Sequence, residues 1–299
     1  MELSAKSNRF LRSLRKTVAP VDAPAGWPNG HYYSPIASLS EVRRREERIF
    51  RVPRSLASLD LNDRGQCRMV TALASHFASI SLPETKGSAT RFYYDNPNFG
   101  HGEALIYAAM LRELRPARII EIGSGFSTLL LLDTLDDMKA DDTTCVCIEP
   151  YPRLLHSLLR PADSAKLDIR PCEAQDSDPA LFEELQSGDI LFVDSTHVSK
   201  VGSDVNHILF EILPRLRSGV YVHFHDLYYP FEYPRQWVFE GRNWNEAYLM
   251  RAFLQFNSAF TIECFNSYIG QFHAELFRDV APLFLDNPGS SLWLRRASG

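Results

Sequence analysis

Apolar and polar positions follow a regular block pattern from about residue 91 onward, and the blocks predict strands separated by helices. Short apolar runs, typical of buried strands, cover 118–122, 145–149, 167–170, 189–194, 219–225, 260–265 and 291–295. Apolar residues at helical spacing cover 103–114, 128–135, 152–159, 180–186, 205–216 and 245–256. Strands that alternate with helices form a parallel sheet covered on both faces, so we predict a doubly wound α/β fold.

The two ends of the chain depart from this alternation. No helix of comparable length separates the last two strand runs, which predicts an antiparallel hairpin at the sheet edge. The beginning of the chain carries proline–glycine punctuation and two predicted helices, 41–51 and 67–80, the first preceded by a capping box at Ser38. We therefore predict a partly helical N-terminal extension over 1–90 and an α/β domain over 91–299.

Composition and charge narrow the class of protein. The chain has 299 residues, of which 45% are hydrophobic and 23% charged, enough apolar material for a large core. Its net charge of −5 and the lack of a basic stripe argue against nucleic-acid partners. No apolar run approaches the roughly 20 residues of a membrane span, so we expect no membrane partner. The basic segment 1–16 suits either an organellar presequence or an amphipathic arm, and we favour the arm.

The cysteines bear on the compartment of the protein. They are Cys67, Cys145, Cys147, Cys172 and Cys264, an odd number without the spacing of a disulfide framework. Cys145 and Cys147 share one face of a predicted strand, and since no second pair follows, two core thiols fit better than a metal site. We predict reduced thiols and a cytoplasmic location.

A glycine turn ends the first strand of the α/β region, in Glu121-Ile-Gly-Ser-Gly-Phe-Ser-Thr128. Ligands of open α/β sheets bind beyond the carboxyl ends of the strands, and glycines at 123 and 125 let the backbone approach a ligand closely. Glu149 ends the next strand, 24 positions after Gly125, near the offset of an acid that holds ribose hydroxyls. A dinucleotide-binding turn has a third glycine, where this chain has Thr128.

The turn E-I-G-S-G-F-S-T followed by I-E-P resembles motifs I and II of class I S-adenosylmethionine-dependent methyltransferases, which have a Rossmann-like sheet. The resemblance implies that the turn passes the amino-acid moiety of the cofactor and that the acid after the second strand binds its ribose. The family usually contacts adenine after the third strand. The cofactor residues implied are Glu121, Gly123, Ser124, Gly125, Glu149, Gln175 and Asp176.

Ionisable residues follow the fourth and fifth strands, whose ends meet at one edge of a parallel sheet. Asp194, His225 and Asp226 are a reasonable ligand set for Mg²⁺ or another divalent cation such as Mn²⁺, which would lower the pKa of a substrate hydroxyl. His197 is the predicted general base, since histidine titrates near neutral pH. His223 alternates with His225 along the strand and is a second imidazole candidate.

The D-x-x-H element followed by paired ligand types resembles metal-dependent sugar O-methyltransferases of natural-product pathways. That resemblance implies catalytic roles for Asp194 and His197, with methylation of a sugar-like or polyhydroxylated small molecule. The family has two adjacent acids after the fifth strand, and this chain has His225 in place of one. An NAD-linked oxidoreductase and a non-catalytic scaffold on the same sheet are the alternative functions.

An aromatic and polar segment, 228–245, lies between the fifth strand and the next helix. It either caps the pocket with stacking surfaces for a substrate or packs a lid onto the sheet. Tyr32, Tyr33 and the segment 92–96 are further candidates for covering the cofactor. A homo-oligomer formed through the N-terminal region is an additional hypothesis.

Overall fold

A computed structural model describes residues 26–298, and its elements follow the order that the sequence predicts. The strands are β1 (Arg118–Ile122), β2 (Thr144–Ile148), β3 (Leu167–Arg170), β4 (Ile190–Val193), β5 (Tyr221–Phe224), β6 (Phe260–Phe265) and β7 (Leu292–Arg296). The α-helices are α1 (Leu39–Arg44), α2 (Glu46–Ile49), α3 (Asp63–Phe77), α4 (His101–Leu114), α5 (Phe126–Met138), α6 (Arg153–Leu158), α7 (Ala180–Glu183), α8 (Asp204–His207), α9 (Arg235–Phe239), α10 (Glu246–Leu254), α11 (Asn266–Phe272) and α12 (Leu283–Asp286). The basic segment 1–16, predicted as an amphipathic arm, lies outside the described residues.

The described residues divide into two compact units, 26–51 and 52–298. In the first unit, the Ser38 side chain accepts a hydrogen bond from the Glu41 N–H at 3.4 Å, which is the predicted cap of α1. Arg45 separates α1 from α2, so the predicted single helix is interrupted there. In the second unit, α3 packs against α4 and β6. A domain boundary near residue 90 stays a prediction.

A seven-stranded sheet in the order β3-β2-β1-β4-β5-β7-β6 forms the centre of the second unit. The strands β1 to β5 are parallel, and β7 lies antiparallel between β5 and β6. This confirms the doubly wound sheet and the antiparallel edge hairpin. The strand order reverses between β1 and β4, and ligands of open α/β sheets bind at the carboxyl edge of such a reversal.

The central strands are buried on both faces, as expected of a parallel sheet between helices. Every side chain of β4 is buried, and the four leucines 129–132 of α5 are at most 1% exposed. Cys145 and Cys147 lie buried in β2, and the five cysteines are free. No helix among residues 26–298 has the length and apolarity that crossing a bilayer requires.

The helix predicted over 205–216 is shorter and irregular in the structure. After α8 the chain passes into a π-helical turn, Ile208–Ile212, and then a 3₁₀ turn, Leu213–Arg215. Pro214 lies in the last turn. Proline has no N–H to donate, and its ring clashes with the carbonyl four residues earlier, so a regular α-helix cannot continue through it.

Candidate active site

The glycine turn between β1 and α5 is shaped by contact with the end of β4. Gly123 has φ +79°, and a Cβ at this position would lie 2.0 Å from the carbonyl oxygen of Asp194. Glycine is therefore required at 123 for both conformation and space. A Cβ at Gly125 would meet no atom within 4 Å, so the turn leaves open space there.

Glu121 lies beneath this turn and has no exposed surface. Its carboxylate accepts a hydrogen bond from Ser127 Oγ at 2.6 Å and another from the Thr128 hydroxyl. Burial raises the pKa of Glu121 to about 7, against the effect of these two hydroxyls. The carboxylate thus fastens the turn to the first residues of α5, in a place that faces away from solvent.

A cavity of about 410 Å³ lies at the carboxyl ends of β1 to β4, within the size range of small-molecule sites. It brings together four of the predicted site residues, Gly123, Glu149, Gln175 and Asp194. The Ser124 N–H donates to Glu149 Oε2 at 3.3 Å, which ties the turn to the acid after β2. Asp176 is exposed and lies outside the lining of this cavity.

Several lining residues were not predicted from the sequence. Tyr151, Glu173, Thr196, Lys200 and Asp204 all border the cavity. Two of them are hydrogen-bonded to each other, since the Thr196 N–H donates to the Asp204 carboxylate at 2.8 Å. Tyr151, Glu173 and Thr196 each lie three residues after the end of a strand, which is the signal in the sequence that could have found them. Lys200 and Asp204 lie farther along the chain after β4, and Asp204 begins α8.

Asp194, His197 and Asp226 meet beside this cavity. His197 Nε2 lies 3.3 Å from Asp194 Oδ1 and 3.7 Å from Asp226 Oδ2. His197 and Asp226 have left-handed backbone, with φ 60° and 56°. Non-glycine residues adopt this conformation at a cost of roughly 1–2 kcal/mol, and such strain is concentrated at functional sites.

The other ring nitrogen of His197 contacts Glu246, a buried residue that the sequence analysis missed. Nδ1 lies 2.9 Å from Glu246 Oε2, and Ser195 Oγ donates to Glu246 Oε1 at 3.1 Å. Burial by itself lowers the pKa of His197, but Asp194 and Glu246 outweigh it and raise this pKa to about 10. Glu246 is the first residue of α10, after the aromatic segment.

His225 occupies a buried position between three carboxylates. Its Nδ1 lies 3.4 Å from Asp194 Oδ1 and 3.7 Å from Asp226 Oδ2, and its Nε2 lies 3.2 Å from Glu103 Oε1. Burial lowers the pKa of His225, but the three carboxylates raise it well above its usual value. Glu103 was also missed, although its place three residues after Gly100 marks it as a helix-capping acid.

His223 points to the same side of β5 as His225, as the alternation predicts, with ring centroids 6.2 Å apart. Its Nε2 pairs with Ser291 Oγ at 2.8 Å, and its ring stacks on Phe192 at 3.9 Å. Burial and the neighbouring His225 hold the pKa of His223 well below its usual value. His223 is therefore a neutral residue of the core.

The aromatic segment packs largely against itself. Trp237 makes edge contacts with Tyr228 and Trp244, each at 5.3 Å between centroids, and the Arg242 guanidinium lies 4.3 Å from the Trp237 ring. Trp244 also lies 4.4 Å from the ring of His197. These contacts favour the packing interpretation of the segment, with Trp244 as its link to the site.

The other candidates for covering the cofactor, segment 92–96 and the pair Tyr32 and Tyr33, lie in different compact units. In segment 92–96, Tyr94 stacks on His101 at 4.2 Å and Tyr93 packs edge-on against Phe126. Both belong to the second compact unit. Tyr32 and Tyr33 belong to the first unit, and both are exposed.

Comparison with known proteins gives a family match over the site. Residues 120–227 match a family model described as a methyltransferase domain, a range that includes the glycine turn, Glu149 and the acids and histidines after β4 and β5. A protein of Archaeoglobus fulgidus described as uncharacterized is 37% identical over 174 residues, covering 56% of this chain and 77% of that protein.

The solved structures that the chain resembles share little of its sequence. CmcI with Mg and S-adenosylmethionine has a TM-score of 0.42 at 17% identity, covering 75% of this chain and 84% of that one. PaMTH1 of Podospora anserina, bound to S-adenosylhomocysteine, has a TM-score of 0.42 at 15% identity, and the match covers 79% of this chain and 95% of that one. TomG of Streptomyces achromogenes, an O-methyltransferase involved in tomaymycin synthesis, has a TM-score of 0.42 at 16% identity. The match covers 88% of this chain and 97% of that one.

Proposed function

We propose that the chain is an S-adenosylmethionine-dependent methyltransferase, and that it methylates a hydroxyl of a sugar-like or polyhydroxylated small molecule with His197 as the general base. One observation carries the proposal. Asp194 lines the cavity together with Gly123 and Glu149, and His197 Nε2 lies 3.3 Å from Asp194 Oδ1 and 3.7 Å from Asp226 Oδ2. A base and two acids beside a cofactor cavity suit removal of a proton from a bound acceptor.

Cofactor binding is proposed at the glycine turn and the acids after β2 and β3. The open space at Gly125 and the cavity beside Glu149 and Gln175 leave room for a ligand there. Bound S-adenosylmethionine would supply a methyl group on a sulfonium. In this proposal Glu149 holds the ribose hydroxyls, and the fully buried Glu121 acts through the turn that it fastens.

Proton transfer is proposed at His197 Nε2. Glu246 accepts from Nδ1–H and so fixes which ring nitrogen faces Asp194 and Asp226. Methyl transfer from bound S-adenosylmethionine would require the acceptor hydroxyl to give up its proton, and His197 Nε2 is the atom placed to take that proton. Because the sulfonium is already a strong electrophile, the residues of the chain orient the acceptor and manage its charge.

Assistance by a divalent cation is part of the proposal, with Asp194, His225 and Asp226 as its ligands. The surroundings fit a cation, because His225 is 5% exposed and neither of its ring nitrogens has an aligned hydrogen bond. A cation held there would lower the pKa of an acceptor hydroxyl and, by neutralising the two acids, also that of His197. Neutral His197 is the form that accepts a proton.

Calorimetric titration with S-adenosylhomocysteine, with NAD⁺ as the competing ligand, tests cofactor binding. We expect micromolar or tighter binding of S-adenosylhomocysteine, at least roughly tenfold weaker in Glu149→Ala because the ribose contact is lost. Binding of NAD⁺ in its place would contradict the proposal.

Transfer of a labelled methyl group to a panel of monosaccharides, inositol and catechol tests the acceptor class. His197→Gln should lower turnover roughly 100- to 10,000-fold while leaving the affinity for S-adenosylhomocysteine unchanged. Full turnover in this variant would exclude His197 as the base. The predicted cytoplasmic location belongs to the same proposal, and the free cysteines agree with a reducing compartment.

A further inference from the structure

The surroundings of His225 bear on the class of cation that the site takes. This side chain is 5% exposed, and its Nδ1 lies 3.4 Å from Asp194 Oδ1 and 3.7 Å from Asp226 Oδ2. Neither ring nitrogen has a hydrogen bond of acceptable geometry. Three carboxylates hold the ring by charge without an aligned acceptor, and a cation that bonds to Nδ1 would displace the ring proton from that nitrogen.

Glu103 holds the opposite side of the imidazole. Its Oε1 lies 3.2 Å from His225 Nε2 and accepts from the Ser290 N–H at 2.8 Å and the Ser290 hydroxyl at 2.6 Å. Its Oε2 accepts from the Gly100 N–H at 2.8 Å. Ligand atoms of Glu103, His225 and Asp226 lie within 4.8 Å of one another, but both oxygens of Glu103 are already engaged by donors. Glu103 is therefore placed to support the imidazole.

This arrangement has the groups of the usual outer shell of a metal-bound histidine, with a carboxylate oxygen 3.2 Å from the second ring nitrogen. Such a histidine almost always gives its second N–H to a carboxylate or a carbonyl, which fixes the ring and makes the bonding nitrogen more basic. Here Nε2 faces Glu103, so Nδ1 faces Asp194 and Asp226. Ser290 Oγ also lies 3.0 Å from Asp226 Oδ1, and because the hydroxyl has a single proton it donates to one of the two carboxylates at a time. One serine thus links the outer carboxylate to one of the two oxygen ligands.

We propose that His225 Nδ1, Asp194 and Asp226 bind a first-row transition cation in preference to Mg²⁺, with Glu103 as the outer carboxylate. The proposal rests on the function proposed above and adds the chemical class of its cation. Imidazole nitrogen suits Zn²⁺, Co²⁺ and Fe²⁺, whereas Mg²⁺ takes oxygen ligands almost exclusively. An acid at position 225 would give an all-oxygen site, so His225 is the residue that determines selectivity.

Calorimetric titration of the full chain with Co²⁺ and with Mg²⁺, S-adenosylhomocysteine present, tests this selectivity. We expect Co²⁺ to bind at least about 100-fold more tightly than Mg²⁺, and His225→Asp to narrow that ratio at least about tenfold. Glu103→Gln should weaken Co²⁺ binding roughly 10- to 100-fold, because the ring loses its support. Unchanged affinity for S-adenosylhomocysteine shows that each variant has kept its fold.

Pulsed electron paramagnetic resonance of bound Mn²⁺ provides a second readout that does not depend on affinity. We expect nitrogen coupling in the wild type and in His197→Gln, and its loss in His225→Asp and His225→Asn. Absence of the coupling in the wild type, or an unchanged Co²⁺-to-Mg²⁺ ratio in His225→Asp, would overturn the proposal. Failure of every cation to bind would overturn it as well. Turnover of His197→Gln tests the proposed base in a separate measurement, so a failure of the base is distinguishable from a failure of the cation proposal.

Discussion

Replacing Gly123 with alanine tests whether the contact between the glycine turn and the end of β4 defines the site. Alanine in the left-handed conformation at φ +79° costs roughly 1–2 kcal/mol. The added Cβ would also lie 2.0 Å from the Asp194 carbonyl oxygen, so backbone atoms must move. Overpacking of this kind costs roughly 1–3 kcal/mol. We therefore expect Gly123→Ala to lose about 2–5 kcal/mol of unfolding free energy.

Gly125→Ala is the matched control in the same turn. Its Cβ meets no atom within 4 Å, so this variant lacks the collision of Gly123→Ala with the backbone, and we expect it to lose less unfolding free energy. Urea unfolding of both variants measures this difference. Equal midpoints for Gly123→Ala and the wild type would refute the reasoning.

Affinity for S-adenosylhomocysteine separates the two glycines further. Gly123→Ala moves Asp194, which lines the cavity, whereas Gly125→Ala fills open space beside it. We expect both variants to bind S-adenosylhomocysteine at least about tenfold more weakly, with the smaller loss of stability in Gly125→Ala. Unchanged affinity in Gly125→Ala would mean that the cofactor does not use that space.

Two further predictions concern buried charge. Burial raises the pKa of Glu121 from its ordinary value of 4.5 to about 7. Between pH 4.5 and 7 the native state therefore binds more protons than the unfolded state. The free energy of unfolding should fall by about 3 kcal/mol as the pH rises through that window. Urea unfolding should show a flatter pH dependence for Glu121→Gln. Arg91 pairs with Asp133 and with Asp163, which is 1% exposed, so Arg91→Met should cost roughly 3–5 kcal/mol.

Each of these predictions has an outcome that contradicts it. If Glu121→Gln kept the wild-type slope with pH, another group would be responsible for it. Arg112→Met is the control for the ion cluster, because the partner Asp137 is 65% exposed and the pair should be worth less than about 1 kcal/mol. Equal losses of unfolding free energy from Arg91→Met and Arg112→Met would show that Asp133 and Asp163 do not need the Arg91 guanidinium.

The part of the site that follows strand ends was predictable from the sequence. Asp194, His197, His225 and Asp226 each lie within four residues of a strand, and parallel strands bring their carboxyl ends to one edge whatever the loops do. The same rule placed Glu149 beside the glycine turn, where the structure has it. Local pattern and chain order were enough, because neither depends on how helices pack.

The sequence by itself determined the alternation of elements, the glycine turn and the strand ends that carry acids and histidines, because these depend on local spacing. Tertiary structure alone decided which ring nitrogen faces the site, since Glu103 and Glu246 reach the two imidazoles from the first turns of distant helices. It also decided that Glu121 lies beneath the turn and that His223 is neutral core. Side-chain partners across the fold depend on packing, which spacing along the chain does not encode.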